Sequence, residues 1–249
     1  MLVIKGTLRG TFFIGMSDSA SVKKASTHTI FDPANQPWTV ESAGLPAIPG
    51  NQLTPDALRA RFQAPPLWTP EAADENRRVF RGRENLVSAA VLIPLVMRRE
   101  GLQVLLTQRT AHLHDHAGQI AFPGGRAEPA DDSIIETALR ETEEETGVAR
   151  EHVDVLGTLP DYLTATGFRV TPVIGLAVPE FTLAHDPFEV AEVFEVPLEF
   201  LMDPSNHRLH SATMVDGVPR RYYSMPFGER FIWGATAGML RNLYHMLRA

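Results

Sequence analysis

Hydrophobic residues are distributed unevenly along this chain, and their pattern separates the first third from the rest. Between Pro33 and Pro70 lie eight of the nineteen prolines, with few long apolar runs among them. Proline lacks a backbone N–H and fits poorly inside helices and central strands. We therefore predict that this segment forms neither continuous helices nor central strands, and that residues 1–84 are a proline-rich N-terminal extension that packs only partly.

From residue 85 onward, apolar runs of strand length alternate with polar turns. Residues 86–97 and 102–108 predict adjacent strands joined by a turn. The further predictions are strands at 119–122, 153–160, 168–178 and 189–198, a short helix near 198–202, a strand pair at 220–225 and 230–233, and a helix at 235–247. This irregular alternation predicts an α/β domain over residues 85–249, with a mixed β-sheet and helices on its faces.

A helix is predicted over residues 133–146 because both of its ends carry signals. Asp131, Asp132 or Ser133 provides an N-cap, and Ser133 and Glu136 have capping-box spacing. Gly147 occupies the position where a left-handed residue commonly ends a helix. Apolar-face positions recur at helical spacing at Ile134, Ile135, Ala138, Leu139 and Thr142.

Composition and charge exclude several classes of function. The 249 residues are 44% hydrophobic, include no cysteine and carry a formal net charge of -7. Disulfides, cysteine-bound zinc and thiol nucleophiles are therefore excluded, and the acidic balance disfavours nucleic-acid binding. No apolar run approaches the roughly 20 residues that span a bilayer. We expect a soluble, cytoplasmic protein with no nucleic-acid or membrane partner. The sequence leaves open whether the protein forms a homodimer.

The first 26 residues resemble a targeting sequence only weakly. Lys5 and Arg9 accompany a short apolar patch, but glycine and polar residues interrupt it and no clean cleavage pattern follows. An alternative hypothesis is that translation begins at Met16.

The predicted helix carries four glutamates within five positions, in the stretch "ALRETEEETGV". Helical spacing places Glu141, Glu144 and Glu145 on one side, whereas Glu143 lies about 200° from Glu141 and is predicted to be solvated. Arg140 neutralises part of this cluster. The remaining pair, Glu141 and Glu145, offers hard oxygen ligands for Mg²⁺ or Mn²⁺. A solvated acidic face is the alternative interpretation.

Two glycines before the helix favour the metal-site interpretation. Gly124 and Gly125, in "FPGGRAEP", lie between a strand end and the helix start. There the backbone can approach a metal or a phosphate without an intervening side chain. A double glycine alone indicates a turn, but together with the carboxylates it indicates a site.

The stretch from Gly125 to Val148 resembles the Nudix box. That motif reads Gly, five residues, Glu, seven residues, then Arg-Glu-apolar-x-Glu-Glu-x-Gly-apolar. Its second half is matched at Arg140, Glu141, Glu144, Glu145, Gly147 and Val148. Thr142 replaces the usual apolar residue, the glycine falls one position early relative to Arg140, and the first glutamate falls on Asp132.

The upstream stretch "LLTQRTAHLHDHAGQIAFPGG" resembles the second motif of one Nudix subgroup, the coenzyme A diphosphatases, in which the early glycine is also characteristic. The positions in register are Leu105, Leu106, Thr107, Arg109, Gly118, Phe122, Pro123, Gly124 and Gly125. Thr110 replaces a serine, and His114 replaces an arginine. A histidine carries full charge only below its pKa, so phosphate is expected to be held less tightly there.

The resemblance implies a Nudix-fold α/β/α sandwich and a role for each matched residue. Glu141 and Glu145 are implied as metal ligands, Glu144 as ligand or base, and Arg140 as the residue that orients the carboxylates. The residues predicted to bind the substrate are Arg109, His114, Gly118, Gly124 and Gly125.

Several individual residues leave alternatives open. Among the glutamates of "FEVAEVFEV", Glu189 is favoured as an auxiliary ligand or base, against a solvent-facing strand residue. Arg109 either binds a phosphate or supports the metal loop, against the alternative of a surface charge. The histidines of "HLHDH" are interpreted as phosphate contacts or exposed residues rather than a metal cluster, and "RRVFRGR" as a solvated domain boundary.

The implied activity is metal-dependent hydrolysis of the diphosphate of coenzyme A or its thioesters, with Mg²⁺ or Mn²⁺ as cofactor. The products are 3′,5′-ADP and 4′-phosphopantetheine or its acylated form. The alternatives are a Nudix diphosphatase for another nucleotide, such as NADH, ADP-ribose, a nucleotide sugar or a nucleoside triphosphate, and a non-catalytic nucleotide sensor.

Overall fold

The architecture of the chain centres on a mixed eight-stranded β-sheet. The computed structural model describes residues 32–40, 44–71, 86–110, 118–164, 166–184, 187–213 and 219–249. The strands are β1 (Trp38–Val40), β2 (Val87–Arg98), β3 (Gly101–Arg109), β4 (Ile120–Ala121), β5 (Gly124–Arg126), β6 (Val153–Thr158), β7 (Tyr162–Leu163), β8 (Phe168–Ala177), β9 (Val190–Pro197), β10 (Arg208–Thr213), β11 (Pro219–Phe227) and β12 (Arg230–Trp233). The helices are α1 (Pro55–Gln63), α2 (Ile134–Thr146), α3 (Leu198–Leu201) and α4 (Ala235–Arg248).

The large sheet has the order β4-β3-β2-β8-β6, and β5, β7 and β9 pair with β2, β8 and β3. The predicted hairpin of β2 and β3 is confirmed, because the two strands pair in antiparallel fashion. β2 and β8 instead run parallel, from Val87 opposite Phe168 to Val96 opposite Ala177. The sheet is therefore mixed, and the predicted α/β class is confirmed.

A second sheet has the order β1-β10-β11-β12, with all its pairs antiparallel. The predicted strand pair near the C-terminus is confirmed as β11 and β12, whereas β1 and β10 were not predicted. Their positions follow from pairing between distant parts of the chain, since Trp38 lies opposite His210.

The hydrophobic core lies on both faces of the large sheet. On one face, Ala138 of α2 packs with Ala90, Leu92 and Val173, all fully buried. On the other face, one continuous cluster joins the large sheet to the second sheet and to α4. Helix α2, which carries the four glutamates, thus packs against β2 and β8. This packing fixes the position of the helix relative to the ends of these strands.

The prediction that residues 33–70 form no continuous helix was wrong. Helix α1 spans nine residues, and Pro55 stands in its first turn, where no intrahelical N–H bond is required. The Thr54 side chain accepts a hydrogen bond from the Ala57 N–H and caps the helix. Leu58 on this helix is buried in the main core together with Ile48 and Leu53. The domain boundary at residue 84 stays a prediction.

A polar cluster ties Glu71 to the C-terminal helix. Arg241 is almost fully buried, and its Nε donates to Glu71 Oε2 at 2.7 Å. Tyr223 donates to the other Glu71 oxygen at 2.8 Å, and His245 also bonds the carboxylate. The Glu71 N–H donates to the side chain of Asn242 at 3.0 Å. Arg241 and its neighbours hold the pKa of Glu71 well below its usual range, although burial acts against them.

Over the part of the chain that the structure describes, no helix combines sufficient length with sufficient hydrophobicity to cross a bilayer.

Candidate active site

Helix α2 forms where the sequence predicts it and is capped as expected. Ser133 accepts a hydrogen bond from the Glu136 N–H at 3.2 Å, and Gly147 adopts a left-handed conformation with φ of 76°. Thr142, which replaces an apolar residue of the motif, is fully buried. Its hydroxyl donates to the Ala138 carbonyl at 2.6 Å, so the polar atom is satisfied within the helix.

The four glutamates of α2 differ strongly in exposure. The side chains of Glu141 and Glu145 are 18% and 9% exposed, whereas those of Glu143 and Glu144 are 42% and 59% exposed. Glu143, which was predicted to be solvated, is half-exposed, and the side chain of Glu144 is more exposed still. Glu143 is partnered by Arg150, whose Nε lies 3.3 Å from its carboxylate.

Arg140 joins this helix to the loop before it. Its Nη1 lies 3.0 Å from Glu141 Oε1 and 3.2 Å from Glu144 Oε2. Its Nε and Nη2 contact the two oxygens of Asp131 at 2.9 and 3.1 Å. Arg140 holds the pKa of Asp131 well below its usual range, with help from the Glu128 N–H and the Thr137 hydroxyl.

Asp131 is the residue that sequence reasoning missed. Counting back from Arg140 placed the first acidic position of the motif on Asp132, but Asp132 is exposed and Asp131 makes the contacts. With the motif's five intervening residues counted forward from Gly125, the acidic position falls on Asp131 instead. The extra residue therefore lies between Asp131 and Arg140, and the early glycine keeps its spacing to the carboxylate.

Glu145 lies where three segments of the chain converge. Its Oε2 accepts a hydrogen bond from the Gly124 N–H at 3.2 Å, and its Oε1 is 4.0 Å from Nη1 of Arg109 at the end of β3. Burial raises the pKa of Glu145 to about 7, and the charges of Glu141 and Glu189 act in the same direction, against Gly124 and Arg109. A buried carboxylate with carboxylate neighbours is a place where added positive charge is favourable.

The glycine pair is required by close packing. A Cβ on Gly124 would lie 2.3 Å from the Ala90 carbonyl oxygen on β2. A Cβ on Gly125 would lie 2.4 Å from the carboxylate of Glu141. The loop therefore passes directly over the Glu141 side chain, whose pKa is raised by burial although Arg140 opposes this.

Glu189 directly precedes β9, and a hydrogen bond to its backbone holds it in position. Its carbonyl accepts a hydrogen bond from the Thr110 N–H at 3.0 Å, and its side chain is exposed. The side chains of the other two glutamates of this stretch pair with arginines. Glu195 forms two hydrogen bonds with Arg98, and Glu192 pairs with Arg230.

The remaining predicted residues are only partly placed. Gly118 has φ of 70°, and its carbonyl accepts from the Gln108 side chain at 3.3 Å. His114 lies outside the described residues, together with the other histidines of "HLHDH" and the arginines of "RRVFRGR". The structure thus brings Arg109, Gly124, Glu141 and Glu145 into one area, with Arg140 beneath Glu141 and Glu144.

Glu141 and Glu145 are the candidate ligands for a divalent cation. Among the described residues, no three His, Asp or Glu side chains are grouped closely enough to hold a metal ion as they stand. Glu141 is turned toward Arg140, and Glu145 toward Gly124. The chemistry nevertheless fits Mg²⁺ or Mn²⁺, since Glu141 and Glu145 are carboxylates of raised pKa on one helix face.

Comparison with known proteins defines the class to which this fold and site belong. Residues 87–216, more than half of the chain, match the NUDIX domain. The chain therefore belongs to the Nudix family of hydrolases.

Two relatives carry the same family name. The uncharacterized Nudix hydrolase NudL of Escherichia coli O7:K1 is 41% identical, over 77% of this chain and 93% of its own. That of Yersinia enterocolitica is 46% identical, over 62% and 78%. A solved structure of a MutT/nudix family protein from Enterococcus faecalis aligns with 76% of this chain and 73% of its own, at 19% identity and a TM-score of 0.42.

Proposed function

We propose that this chain hydrolyses the diphosphate linkage of coenzyme A or its thioesters in a metal-dependent reaction. One observation carries the proposal. Arg109 and Gly124, which belong to the upstream motif that resembles coenzyme A diphosphatases, both meet the carboxylate of Glu145 in the glutamate helix. The two motifs therefore form one site, although more than twenty residues separate Gly124 or Arg109 from Glu145 in sequence.

Glu141 and Glu145 would hold Mg²⁺ or Mn²⁺, with Glu144 as a further ligand or base. Such an ion, when bound, neutralises phosphate charge and lowers the pKa of water. Arg140 orients Glu141 and Glu144 through its two hydrogen bonds. Asp131 fixes Arg140 in turn, because it occupies the other side of the guanidinium.

We assign substrate binding to the loop at Gly124 and Gly125 and to Arg109 at the end of β3. Arg109 would pair with a phosphate of the substrate, and the 4.0 Å between its guanidinium and the carboxylate of Glu145 supports this role. Gly124 and Gly125 allow the loop to pack closely against β2 and against the Glu141 carboxylate, and this loop would lie beside the diphosphate. His114, in place of the motif's arginine, is assigned to phosphate as well.

The reaction requires one water molecule. Its oxygen bonds to one phosphorus, the bridging P–O bond on that phosphorus breaks, and a carboxylate takes the proton. Glu144 and Glu189 are the two candidates for this base, as both side chains are exposed at the site. The products are 3′,5′-ADP and 4′-phosphopantetheine, or the acylated form when a thioester is the substrate.

The test is product analysis by mass spectrometry with the full chain, Mg²⁺ or Mn²⁺, and coenzyme A, NADH or ADP-ribose in parallel reactions. We expect a higher kcat/KM for coenzyme A than for the other two nucleotides. Equal or higher values for NADH or ADP-ribose would refute the substrate assignment while leaving a Nudix diphosphatase. Absence of turnover on all three would favour a nucleotide sensor.

A further inference from the structure

Glu189 differs from the two glutamates that follow it in β9. Among the described residues, no basic side chain pairs with Glu189, whereas Glu192 pairs with Arg230 and Glu195 with Arg98. The Glu189 side chain is exposed, so its carboxylate is available to a cation or to water. Where that carboxylate lies depends first on the backbone that carries it.

The loop before Glu189 runs against the end of helix α2. The Ala184 N–H donates to the carbonyl of Thr146, the residue after Glu145, at 3.0 Å. A Cβ on Gly147 would lie 2.7 Å from the Ala184 nitrogen, so this approach requires glycine. The loop is thereby fixed next to a candidate metal ligand shortly before it reaches Glu189.

Thr110 holds the other end of this loop. Its hydroxyl donates to the Phe188 carbonyl at 2.8 Å, and its N–H donates to the Glu189 carbonyl at 3.0 Å. These carbonyls belong to the peptide groups before and after the Glu189 Cα, so Thr110 fixes the direction in which the Glu189 side chain leaves the backbone. Thr110 is only 6% exposed, and water therefore competes little for either bond.

The strand ends at this point lie beside Glu145. Strand β9 carries one extra residue, Ala191, opposite the step from Gln108 to Arg109, and such bulges re-aim side chains next to active sites. Nη1 of Arg109 is 4.0 Å from Glu145 Oε1. The charge of Glu189 contributes to the raised pKa of Glu145, so the two carboxylates lie within electrostatic reach of each other.

We infer that Thr110 is a positioning residue that holds the carboxylate of Glu189 toward the candidate metal site at Glu145. The inference rests on the proposed function, in which Glu189 is one of two candidate bases. It gives Glu189 a fixed place in the site, although its side chain is exposed. Residues that orient the groups of a metal site commonly contribute roughly 10- to 100-fold to affinity or activity.

A double-mutant cycle on the full chain with Mn²⁺ tests this inference. We expect Glu189→Gln to lower kcat about tenfold or more, and Thr110→Val to lower it about tenfold, both with little change in KM. Thr110→Ser, which keeps the hydroxyl, should restore kcat. In the Glu189→Gln background, Thr110→Val should cause no further loss, because it acts only through Glu189. The substrate is whichever of coenzyme A, NADH and ADP-ribose the wild type turns over fastest.

Electron paramagnetic resonance of Mn²⁺ binding repeats the cycle without turnover. We expect Glu189→Gln to weaken Mn²⁺ binding about threefold, as the loss of one nearby negative charge should. Thr110→Val should weaken it by a similar factor, Thr110→Ser should bind as the wild type does, and the double variant should bind no more weakly than Glu189→Gln.

Thr236→Val is the matched control for the loss of a buried hydroxyl. Thr236 is 3% exposed, and its hydroxyl also donates to a backbone carbonyl, that of Ile120, at 3.1 Å. This variant should lower the melting temperature about as much as Thr110→Val does, but it should leave kcat and Mn²⁺ affinity unchanged.

The inference is overturned if Thr110→Val is as harmful in the Glu189→Gln background as in the wild type, if Thr110→Ser fails to restore kcat, or if Thr236→Val lowers kcat equally. It is also overturned if Glu189→Gln changes neither kcat nor Mn²⁺ affinity, or if the wild type does not bind Mn²⁺. A preference for NADH or ADP-ribose would refute the proposed substrate alone. Absence of turnover on all three nucleotides would refute the proposed function, and the Mn²⁺ cycle would then decide the inference by itself.

Discussion

The guanidinium of Arg140 hydrogen-bonds both carboxylate oxygens of Asp131, at 2.9 and 3.1 Å, and also contacts Glu141 and Glu144. The loop before α2 is thereby joined to the carboxylates that the helix presents. Arg140 has a side-chain exposure of 18% and Asp131 of 5%, so solvent screens their pairing little. Residues that orient metal ligands in this way commonly affect activity without touching the substrate.

Asp131→Asn is expected to lower kcat/KM about tenfold or more, because the amide NH2 that replaces one carboxylate oxygen cannot accept a hydrogen bond from the guanidinium and Arg140 would turn away from Glu141. Steady-state kinetics at saturating Mg²⁺ measures the effect. The matched control is Asp132→Asn at the neighbouring exposed position, which should retain the activity of the wild type. Equal losses in both variants would contradict the assignment of Asp131 to Arg140.

Gly125→Ala is expected to reduce kcat/KM by about 10- to 100-fold, since the added Cβ would collide with the Glu141 carboxylate and displace it. Gly50→Ala is the control, because its Cβ would meet nothing within 4 Å. Circular dichroism should show both variants folded. Full activity of Gly125→Ala would mean that the position of Glu141 does not matter for turnover.

Glu145→Gln is expected to abolish metal-dependent turnover while leaving the melting temperature of the metal-free protein unchanged or higher. The amide retains an oxygen for the Gly124 N–H but removes a buried negative charge that lies among other carboxylates. Kinetics and thermal unfolding of the same samples test both halves. Glu143→Gln, at a residue paired with Arg150, should remain active, and an active Glu145→Gln variant would remove Glu145 from the metal site.

Acid is expected to destabilise the protein through His207. The ring is fully buried, its Nε2 bonds the Leu201 carbonyl at 2.8 Å and its Nδ1 accepts from Arg241 at 3.0 Å, which fixes a neutral tautomer. Burial lowers the pKa of His207 from 6.5 to about 4. Below pH 6.5 the unfolded chain therefore binds a proton that the folded chain does not, and stability falls as the pH falls.

The loss that His207 contributes is about 2 kcal/mol between pH 7 and pH 5, and it grows until the folded pKa is reached. Urea unfolding at the two pH values measures it. His207→Gln should flatten this pH dependence, whereas His152→Gln, at a partly exposed position, should not. An unchanged slope in His207→Gln would show that other groups determine the acid response.

Local signals made helix α2 predictable. Ser133, Gly147 and the apolar spacing between them are all contained in one short stretch, and each has the predicted role. Strand β10 could not be predicted in the same way, because its buried residues include His210, whose polar atoms are satisfied by Ser224 and by the distant Gln36 carbonyl. Such pairings are visible only once the chain has folded.

Two predictions failed because one local feature had two structural meanings. Pro55 was interpreted as a helix breaker, yet proline is favoured in the first turn, and Thr54 supplies the cap. Asp131 and Asp132 are adjacent carboxylates, so spacing alone could not distinguish them when the motif carried an additional residue. The cap at Thr54 decided the first case locally, whereas the contacts of Asp131 with Arg140 decided the second.

The contact between Glu71 and Arg241 bears on how this protein could be shortened. The match to the NUDIX domain begins at residue 87, but a fragment starting there would leave the buried Arg241 guanidinium without its carboxylate. The same fragment would lack Leu58 in the core and the Pro46 carbonyl that accepts from Tyr244. A shortened chain that keeps these three contacts therefore has to begin before residue 46, ahead of the family boundary.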